Sequence, residues 1–475
     1  MAGRSQVSTL ARLSFGLGSY AEGIKNGSFN FFLLFYYNQV LGLPGSLAGG
    51  ALAIALIIDA ITDPLVGSMS DRHRSRIGWG RRHPFMYGAA IPFAMVFYLL
   101  FVPPAGLSEA GLFTWLLVFA VASRFALTFY SVPHMTLAAE LTSHYDERTV
   151  LAAFRSFLSI GGMVSVLVVG YAIFFEDGGQ LQAVNYPPFA LVCAVAMAVS
   201  IILSALGTHS YIPRLQQGAG NSPTFSTKGL ISEVKVALEL RAFRLLLLAL
   251  IANAALNGLL LTLSTYVMTF YFQFEGIALG SILAVSLGGG IFGALICSPM
   301  TARFRSKRNG MILGMVWFAV IMSLPVNLRI LGLFPDNGDP MLVPLMMAMN
   351  FTGGIGMGIV SVLTTAMVAD VTDEHERVHR NRQEGIFYSA VSFVGKATSG
   401  LGAMLGGVAI DIVGLDPNSD AANVPEAAVQ MLGLINGPGI LVFAMLPVFL
   451  IWGYDIDRRR HKEILKEIAA ARAAA

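Results

Sequence analysis

With 475 residues, of which 55% are hydrophobic and only 12% charged, and a mean hydropathy of +0.67, this chain has too little polar surface to be covered by water. A soluble protein of that length carries roughly twice the charged fraction. The net charge of +3 implies no nucleic-acid partner, and the two cysteines, Cys193 and Cys297, fall inside apolar runs, which suggests neither a disulfide framework nor a metal centre.

Apolar runs of about 20 residues, enough to cross a bilayer, recur along the whole chain. They are expected to be helices, because barrel strands would alternate over about ten residues. The first covers 12–40 and carries Glu22, Lys25 and Asn26. It is polar and glycine-rich, without a small-residue cleavage site, so no secretory signal is expected. The second, 45–70, contains Asp59 and Asp63 in Ile57-Ile-Asp-Ala-Ile-Thr-Asp-Pro-Leu-Val-Gly67. Runs at 84–104 and 110–140 follow, the latter with Arg124, Thr128, Ser131, Pro133 and His134, and then 150–176 and 187–208.

The polar stretch 209–239 reads as a linker rich in turn formers. Six more runs cover 240–272, 277–301, 310–332, 341–369, 385–413 and 428–453, and a charged tail occupies 454–475. The glycines of Gly288-Gly-Gly-Ile-Phe-Gly293 suit close helix packing. Tyr36, Tyr37 and most phenylalanines are expected at the lipid or its interface.

Arginine and lysine concentrate in one set of loops: Arg72, Arg74, Arg76, Arg81 and Arg82, then Arg303, Arg305, Lys307 and Arg308, then Arg377, Arg380 and Arg382, and the tail. The opposite loops are acidic. By the positive-inside rule the basic loops and both termini are expected to be cytoplasmic, and the expected location is a plasma membrane, the inner membrane of a bacterium.

The halves also repeat at a shift of about 230 residues: Ser68-Met-Ser-Asp-Arg-His-Arg-Ser-Arg76 aligns with Pro299-Met-Thr-Ala-Arg-Phe-Arg-Ser-Lys307, and Glu140-Leu-Thr with Asp370-Val-Thr. Parallel six-helix repeats build major facilitator transporters. The expected fold is therefore an all-α membrane protein with twelve transmembrane helices in two six-helix pseudo-repeats. Its parts are a first bundle (1–208), a cytoplasmic linker (209–239), a second bundle (240–453) and a cytoplasmic tail (454–475). A polytopic enzyme is the runner-up, but the chain has no HExxH, nucleophile elbow or P-loop.

A charge at mid-membrane costs about 2.5–3.5 kcal/mol on insertion scales. Asp59 and Asp63, one turn apart, share a helical face and repel unless a cation lies between them or one holds a proton. A coupling-cation site needs that property. The plainer alternative is that they only pair with an arginine. The repeat weighs against it, since Gly290 and Ala294 stand at the matching register. Thr128 offers a hydroxyl ligand, and Lys396, in Val394-Gly-Lys-Ala-Thr398, is a cation well inside its span. His134 reads as a packed side chain.

Four segments together resemble the glycoside-pentoside-hexuronide:cation symporter family (melibiose permease-like): Asp59 to Gly67; Asp71-Arg-His-Arg-Ser-Arg-Ile-Gly-Trp-Gly-Arg-Arg-His-Pro-Phe85; Tyr145-Asp-Glu-Arg-Thr149; and Ala369-Asp-Val-Thr-Asp-Glu-His-Glu376 through Arg382-Gln-Glu-Gly385. The resemblance runs from Phe15 to about Gly406. It implies Asp59, Asp63, Thr128 and Lys396 around the cation, and Arg155 at the substrate. Where the sugar-binding members have two aspartates and a stacking tryptophan, this chain has Gly23, Ser131 and Met135.

The expected function is symport of a sugar or glycoside with sodium by alternating access, without a cofactor, by a protein acting as a monomer surrounded by lipid. Glu22, Gly23, Lys25, Arg124, Ser131, Met135 and Arg155 are the substrate candidates. Asp71, Arg72, Arg81, Arg82, Asp370, Asp373 and Arg303 are the gating candidates. Proton coupling of a disaccharide and carriage of a less polar solute such as a lysolipid are the alternatives.

Overall fold

The structure is a computed structural model that describes residues 7–73, 78–142, 144–176, 178–214, 238–301, 306–380, 384–415 and 424–474. The described residues form helices joined by turns and irregular loops, with no strand among them. In chain order the helices are α1 (Thr9–Gly27), α2 (Gly45–Arg72), α3 (His83–Leu100), α4 (Glu109–Leu141), α5 (Tyr145–Val169) and α6 (Tyr186–His209). Then come α7 (Arg241–Tyr266), α8 (Gly276–Thr301), α9 (Lys307–Ile330), α10 (Leu342–His379) and α11 (Glu384–Val413). The last are α12, in two pieces (Glu426–Leu434 and Ile440–Trp452), and α13 (Arg458–Ala474). Eleven described segments are long and apolar enough to cross a membrane. With the more polar α1 and its π-helical continuation to Val40, the expected twelve are present.

Local sequence sets the helix starts. Ser8, Ser108 and Ser306 each precede a helix, and their hydroxyls accept from the backbone N–H of Ala11, Gly111 and Asn309 at 3.2, 3.3 and 3.3 Å. Prolines occupy the first turns of α3 and α6, where a missing N–H costs nothing. Two boundaries differ from expectation. α10 runs about ten residues past its apolar stretch, to His379, and the charged tail forms a helix of its own.

The chain divides into two compact units, one of Met1–Phe225, Glu275–Gly280 and Asp416–Asp420, the other of Ser226–Phe274, Ser281–Leu415 and Ala421–Ala475. Inside the first, α1 packs on α5 and α6, and α3 on α4 and α6. Inside the second the same pairing returns, α7 on α11 and α12, and α9 on α10 and α12. The internal repeat is thus a repeat of packing. It extends to a detail that sequence did not announce: α1 and α7 both end in π-helical turns, Tyr36–Val40 and Val267–Tyr271, spaced like the aligned Met69 and Met300.

Without a hydrophobic drive between helices in lipid, close approach of backbones supplies the attraction. A Cβ on Gly23 would lie 1.9 Å from Ser159 O on α5, and one on Gly258 2.7 Å from the Gly402 Cα on α11. Gly289 and Gly293 likewise seat α8 directly on the α10 backbone at Phe351 and Ile355, the packing role expected of that glycine run.

The aromatic expectation is corrected. Tyr36 and Tyr37 are 3% and 0% exposed, and their hydroxyls donate to Phe101 O (3.2 Å) and Leu100 O (2.7 Å). Phe32, Phe101, Phe175 and Phe189 join Tyr171 and Tyr186 in one buried cluster. A lipid-facing phenylalanine and a bundle-core phenylalanine have the same composition signature, so only packing separates them.

Candidate functional site

The first unit brings three of the expected cation ligands together. Asp59 is buried and Asp63 half-buried on α2, one turn apart. The Thr128 hydroxyl, from α4, lies 3.1 Å from Asp59 Oδ1 and 3.0 Å from Asp63 Oδ1. It is also 3.0 Å from Arg124 O, and its single proton serves one of these acceptors at a time. Pro64 removes the N–H that would bond the Ala60 carbonyl, so a further oxygen next to the pair is released from the helix ladder. Hard oxygen donors of this kind suit an alkali cation. Among the described residues no group of three or more His, Cys, Asp or Glu side chains forms a site for a transition metal.

Arg124 lies beside the same carboxylates. Its Nη1 is 3.9 Å from Asp59 Oδ2 and its Nε is buried without a hydrogen-bond partner. So the plainer alternative, pairing with an arginine, is partly present, but at a separation too long for a tight bidentate pair. The guanidinium also lies over the Phe29 ring at 5.0 Å, and Lys25 Nζ approaches the same ring at 5.2 Å while donating to Asn26 Oδ1 (3.1 Å). Phe29 therefore links two buried cations of α1 and α4 beside the aspartates. The sequence reading missed it, although the i, i+4 spacing from Lys25 was a signal.

Of the other substrate candidates, Glu22 and Arg155 both lie near the buried Tyr130. Arg155 reaches back to Ser19 Oγ at 3.4 Å, and Glu22 and Ser131 are half-buried. Met135 is exposed. Gly23 faces the α5 backbone, where a side chain has no room. His134 is fully buried, its Nε2 donating to Phe15 O at 2.7 Å, as a packed residue would. Lys396 stands half-buried on α11 of the second unit. That unit also holds a cavity of about 320 Å³ that sequence reading did not find, its wall mixing Asn253, Asn257, Ser361 and Thr364 with Met315 and Phe318. Single amides and hydroxyls in apolar runs carry little signal until helices bring them together.

The gating candidates form two ionic clusters. In the first unit Arg82 Nη2 binds Asp71 at 2.5 Å, and Arg81 and Arg82 both hold Glu140, at 2.6 and 3.0 Å. In the second unit Lys307 holds Asp370 at 2.7 Å, and His461 lies 3.0 Å from Asp373. Lys307 belongs to the basic loop 303–308 expected to latch, whereas Glu140 and His461 were not among the expected gating residues, although the aligned Glu140 and Asp370 pointed at the first. Arg303 and the Arg72 side chain lie outside the described residues. Arg82 and Glu140 are nearly inaccessible, so Glu140→Gln should lower stability by about 2 kcal/mol, since it takes the shared counter-charge from Arg82, which keeps Asp71, and from the quarter-exposed Arg81. Glu463→Gln, at a pair whose Arg459 is 89% exposed, should leave the melting midpoint unchanged.

Comparison with known proteins places this architecture. The family model described as MFS/sugar transport protein matches residues 14–458. The isoprimeverose transporter of Lactiplantibacillus pentosus is 25% identical, with 93% of this chain and 89% of the relative covered. The putative glycoside/cation symporter YagG of Escherichia coli is 25% identical over 99% of this chain and 97% of its own. In fold, the inward-open xylose transporter XylE of E. coli superposes with a TM-score of 0.60 at 16% identity, over 97% of this chain and 98% of that one. The chain is an integral membrane transporter and not an enzyme, and it belongs to the glycoside-pentoside-hexuronide:cation symporter family within the MFS/sugar transport proteins.

Proposed function

We propose that this protein is a secondary active symporter in which sodium, bound by Asp59, Asp63 and Thr128, drives uptake of a sugar or glycoside by alternating access. One observation carries the cation part: a single hydroxyl stands within 3.1 Å of both carboxylates in a span that is otherwise apolar. Two adjacent carboxylates repel when empty, and a bound cation relieves that repulsion. Arg124 neutralises Asp59 in part when sodium is absent. Loading then releases the guanidinium and links the ion to the substrate face through Phe29 and Lys25. Lys396 is counted with the cation residues on the strength of the family resemblance alone. The basic loops and both termini face the cytoplasm, which puts both ionic clusters on that side.

The cargo reading rests on relatives named for isoprimeverose and for glycosides. Gly23 and Met135 favour a grip different from one built on carboxylates and a stacking ring, because Gly23 leaves no room for a carboxylate against Ser159 O. A less polar solute, such as a lysolipid, is the second reading on that ground.

The test is a thermal-shift titration of the purified protein with sodium, lithium and protons, each with and without a panel of pentosides, glycosides and lysolipids. Sodium alone should stabilise the protein, and a true cargo should raise its affinity for sodium, since linkage is reciprocal. Thr128→Ser should keep the sodium shift and Thr128→Ala should weaken sodium binding about tenfold, the equivalent of about 1.4 kcal/mol for one ligand. A response to pH with none to sodium would transfer the coupling role to protons.

A further inference from the structure

The cavity of the second unit has no task in the cation assignment. Asn253 and Asn257, one turn apart on α7, line about 320 Å³ together with Ser361 and Thr364 of α10. Met315 and Phe318 of α9, 2% and 8% exposed, give its wall an apolar part. None of the described residues that line it is charged. The volume lies at the small end of the range for ligand sites, about 300–1,000 Å³. Asn257 Nδ2 donates to Asn253 O at 2.9 Å, and Thr364 Oγ1 to Val360 O at 2.8 Å, both within their own helices. These bonds leave the Asn257 carbonyl, its second N–H and the Thr364 lone pairs to a ligand. An amide that served only to join helices would bond across to a neighbouring helix, whereas this one bonds along its own.

The internal repeat reaches the same residues by an independent route. In the register that pairs Met69 with Met300, Ala21-Glu-Gly-Ile-Lys-Asn-Gly27 of α1 matches Ala252-Asn-Ala-Ala-Leu-Asn-Gly258 of α7. Asn253 and Asn257 then stand where α1 has Glu22 and Asn26. In the register that pairs Glu140 with Asp370, Ser131-Val-Pro-His-Met135 of α4 matches Ser361-Val-Leu-Thr-Thr365 of α10. Three substrate candidates of the first unit, Glu22, Ser131 and Met135, thus have Asn253, Ser361 and Thr365 as counterparts, and all three line the cavity. Each counterpart is a neutral hydrogen-bonding side chain. The cations do not carry across: Lys25 and Arg124 have Leu256 and Gly354 as counterparts.

We propose that this cavity is a cargo subsite for one neutral sugar ring: Asn253, Asn257, Ser361 and Thr364 bind its hydroxyls, Met315 and Phe318 meet its C–H face, and glycuronides are rejected. The inference rests on the transport reading above and adds which residues take the cargo and what charge it carries. A sugar hydroxyl both donates and accepts. A carboxamide therefore serves two adjacent hydroxyls at once, its carbonyl accepting from one and its N–H donating to the other. The Thr364 oxygen, its proton engaged on Val360 O, accepts a third. A carboxylate offers acceptors alone. Among the lining residues no cation pairs with it, so its desolvation goes uncompensated. The charged groups that suit an ion thus belong to the first unit and the neutral groups that suit a sugar to the second.

Isothermal titration of the purified full-length protein in sodium buffer, with methyl xyloside, methyl glucoside and methyl glucuronide as probes, tests this. The sodium-induced rise in melting midpoint is recorded separately, without sugar. The wild type should bind a neutral probe and bind the glucuronide about tenfold more weakly or worse. Asn253→Leu, Ser361→Ala and Thr364→Val should each weaken the neutral probe about tenfold, the loss of one hydrogen bond, while Thr364→Ser keeps it. The sodium shift should match wild type in every variant, which also shows that each is folded. If Asn253→Leu does not accumulate, Thr364→Val, which exchanges a hydroxyl for a methyl, decides in its place. Unchanged neutral-probe affinity in the cavity variants overturns the proposal, as does equal binding of the glucuronide or no binding of either neutral probe. A sodium shift that survives those results leaves the symport reading standing. Glycoside binding that depends on the cavity but comes without any sodium shift supports the subsite and removes sodium coupling instead.

Discussion

Asp59→Asn and Asp63→Asn should each reduce sodium-driven uptake in proteoliposomes by about a hundredfold or more, while the protein still folds. Asparagine keeps the size of aspartate and one carbonyl oxygen, so packing on α2 is undisturbed. What it removes is half the negative charge at a site where Thr128 lies 3.1 and 3.0 Å from the two carboxylates. Removing one partner from a buried ionic cluster typically costs about 3–5 kcal/mol, which corresponds to two or more decades in affinity. The two variants should differ. Arg124 lies 3.9 Å from Asp59 Oδ2, so Asp59→Asn also leaves that guanidinium without its counterion and adds repulsion toward sodium. Asp63→Asn leaves the Arg124–Asp59 pair in place. The ordering expected in a sodium titration is therefore wild type, then Asp63→Asn, then Asp59→Asn, in decreasing affinity. Equal sodium affinity in all three would sink the cation assignment.

Gly23→Asp should fail in an instructive way. The family's sugar-binding members carry an aspartate at this position, so the substitution looks like a restoration of sugar recognition. In this fold the Cβ would lie 1.9 Å from Ser159 O and 2.8 Å from its carbonyl carbon, both backbone atoms of α5 that cannot swing aside. On the facing helix a Cβ at Gly162 would meet Tyr20 O at 2.3 Å, so neither helix has slack. Overpacking of this kind costs about 1–3 kcal/mol or more, and a carboxylate left among backbone carbonyls adds its desolvation. We expect a melting midpoint lower by about 5–10 °C or loss of accumulation in the membrane, with no gain in sugar affinity. A stable Gly23→Asp protein with tighter glycoside binding would show that α1 can turn to present this position to substrate.

The two predictions differ in what made them visible. Asp59 and Asp63 were legible because a carboxylate in an apolar helix is costly and their spacing puts them on one face; no tertiary information was needed to single them out. Thr128 joined the pair only when α4 set its hydroxyl between them, since an isolated threonine in a membrane helix can equally bond its own backbone. Phe29 gained meaning from Lys25 and Arg124 stacking on it. Gly23 moved the other way, from a site position by resemblance to a contact between α1 and α5. Tyr36 and Tyr37 moved inward as well, because hydropathy scales assign the same value to an aromatic ring against lipid and against another helix.

By itself, then, the sequence determined the solvent of this protein, its spans, its twofold repeat and the aspartate pair, because each depends on composition and spacing along one helix. Tertiary structure alone decided which arginines hold Glu140, that Lys307 and His461 share the second cluster, and that the charged tail is a helix docked on α10. The reason is physical. Charge pairs and helix seats join residues as far as 135 positions apart, and nothing in the local pattern of either partner specifies the other.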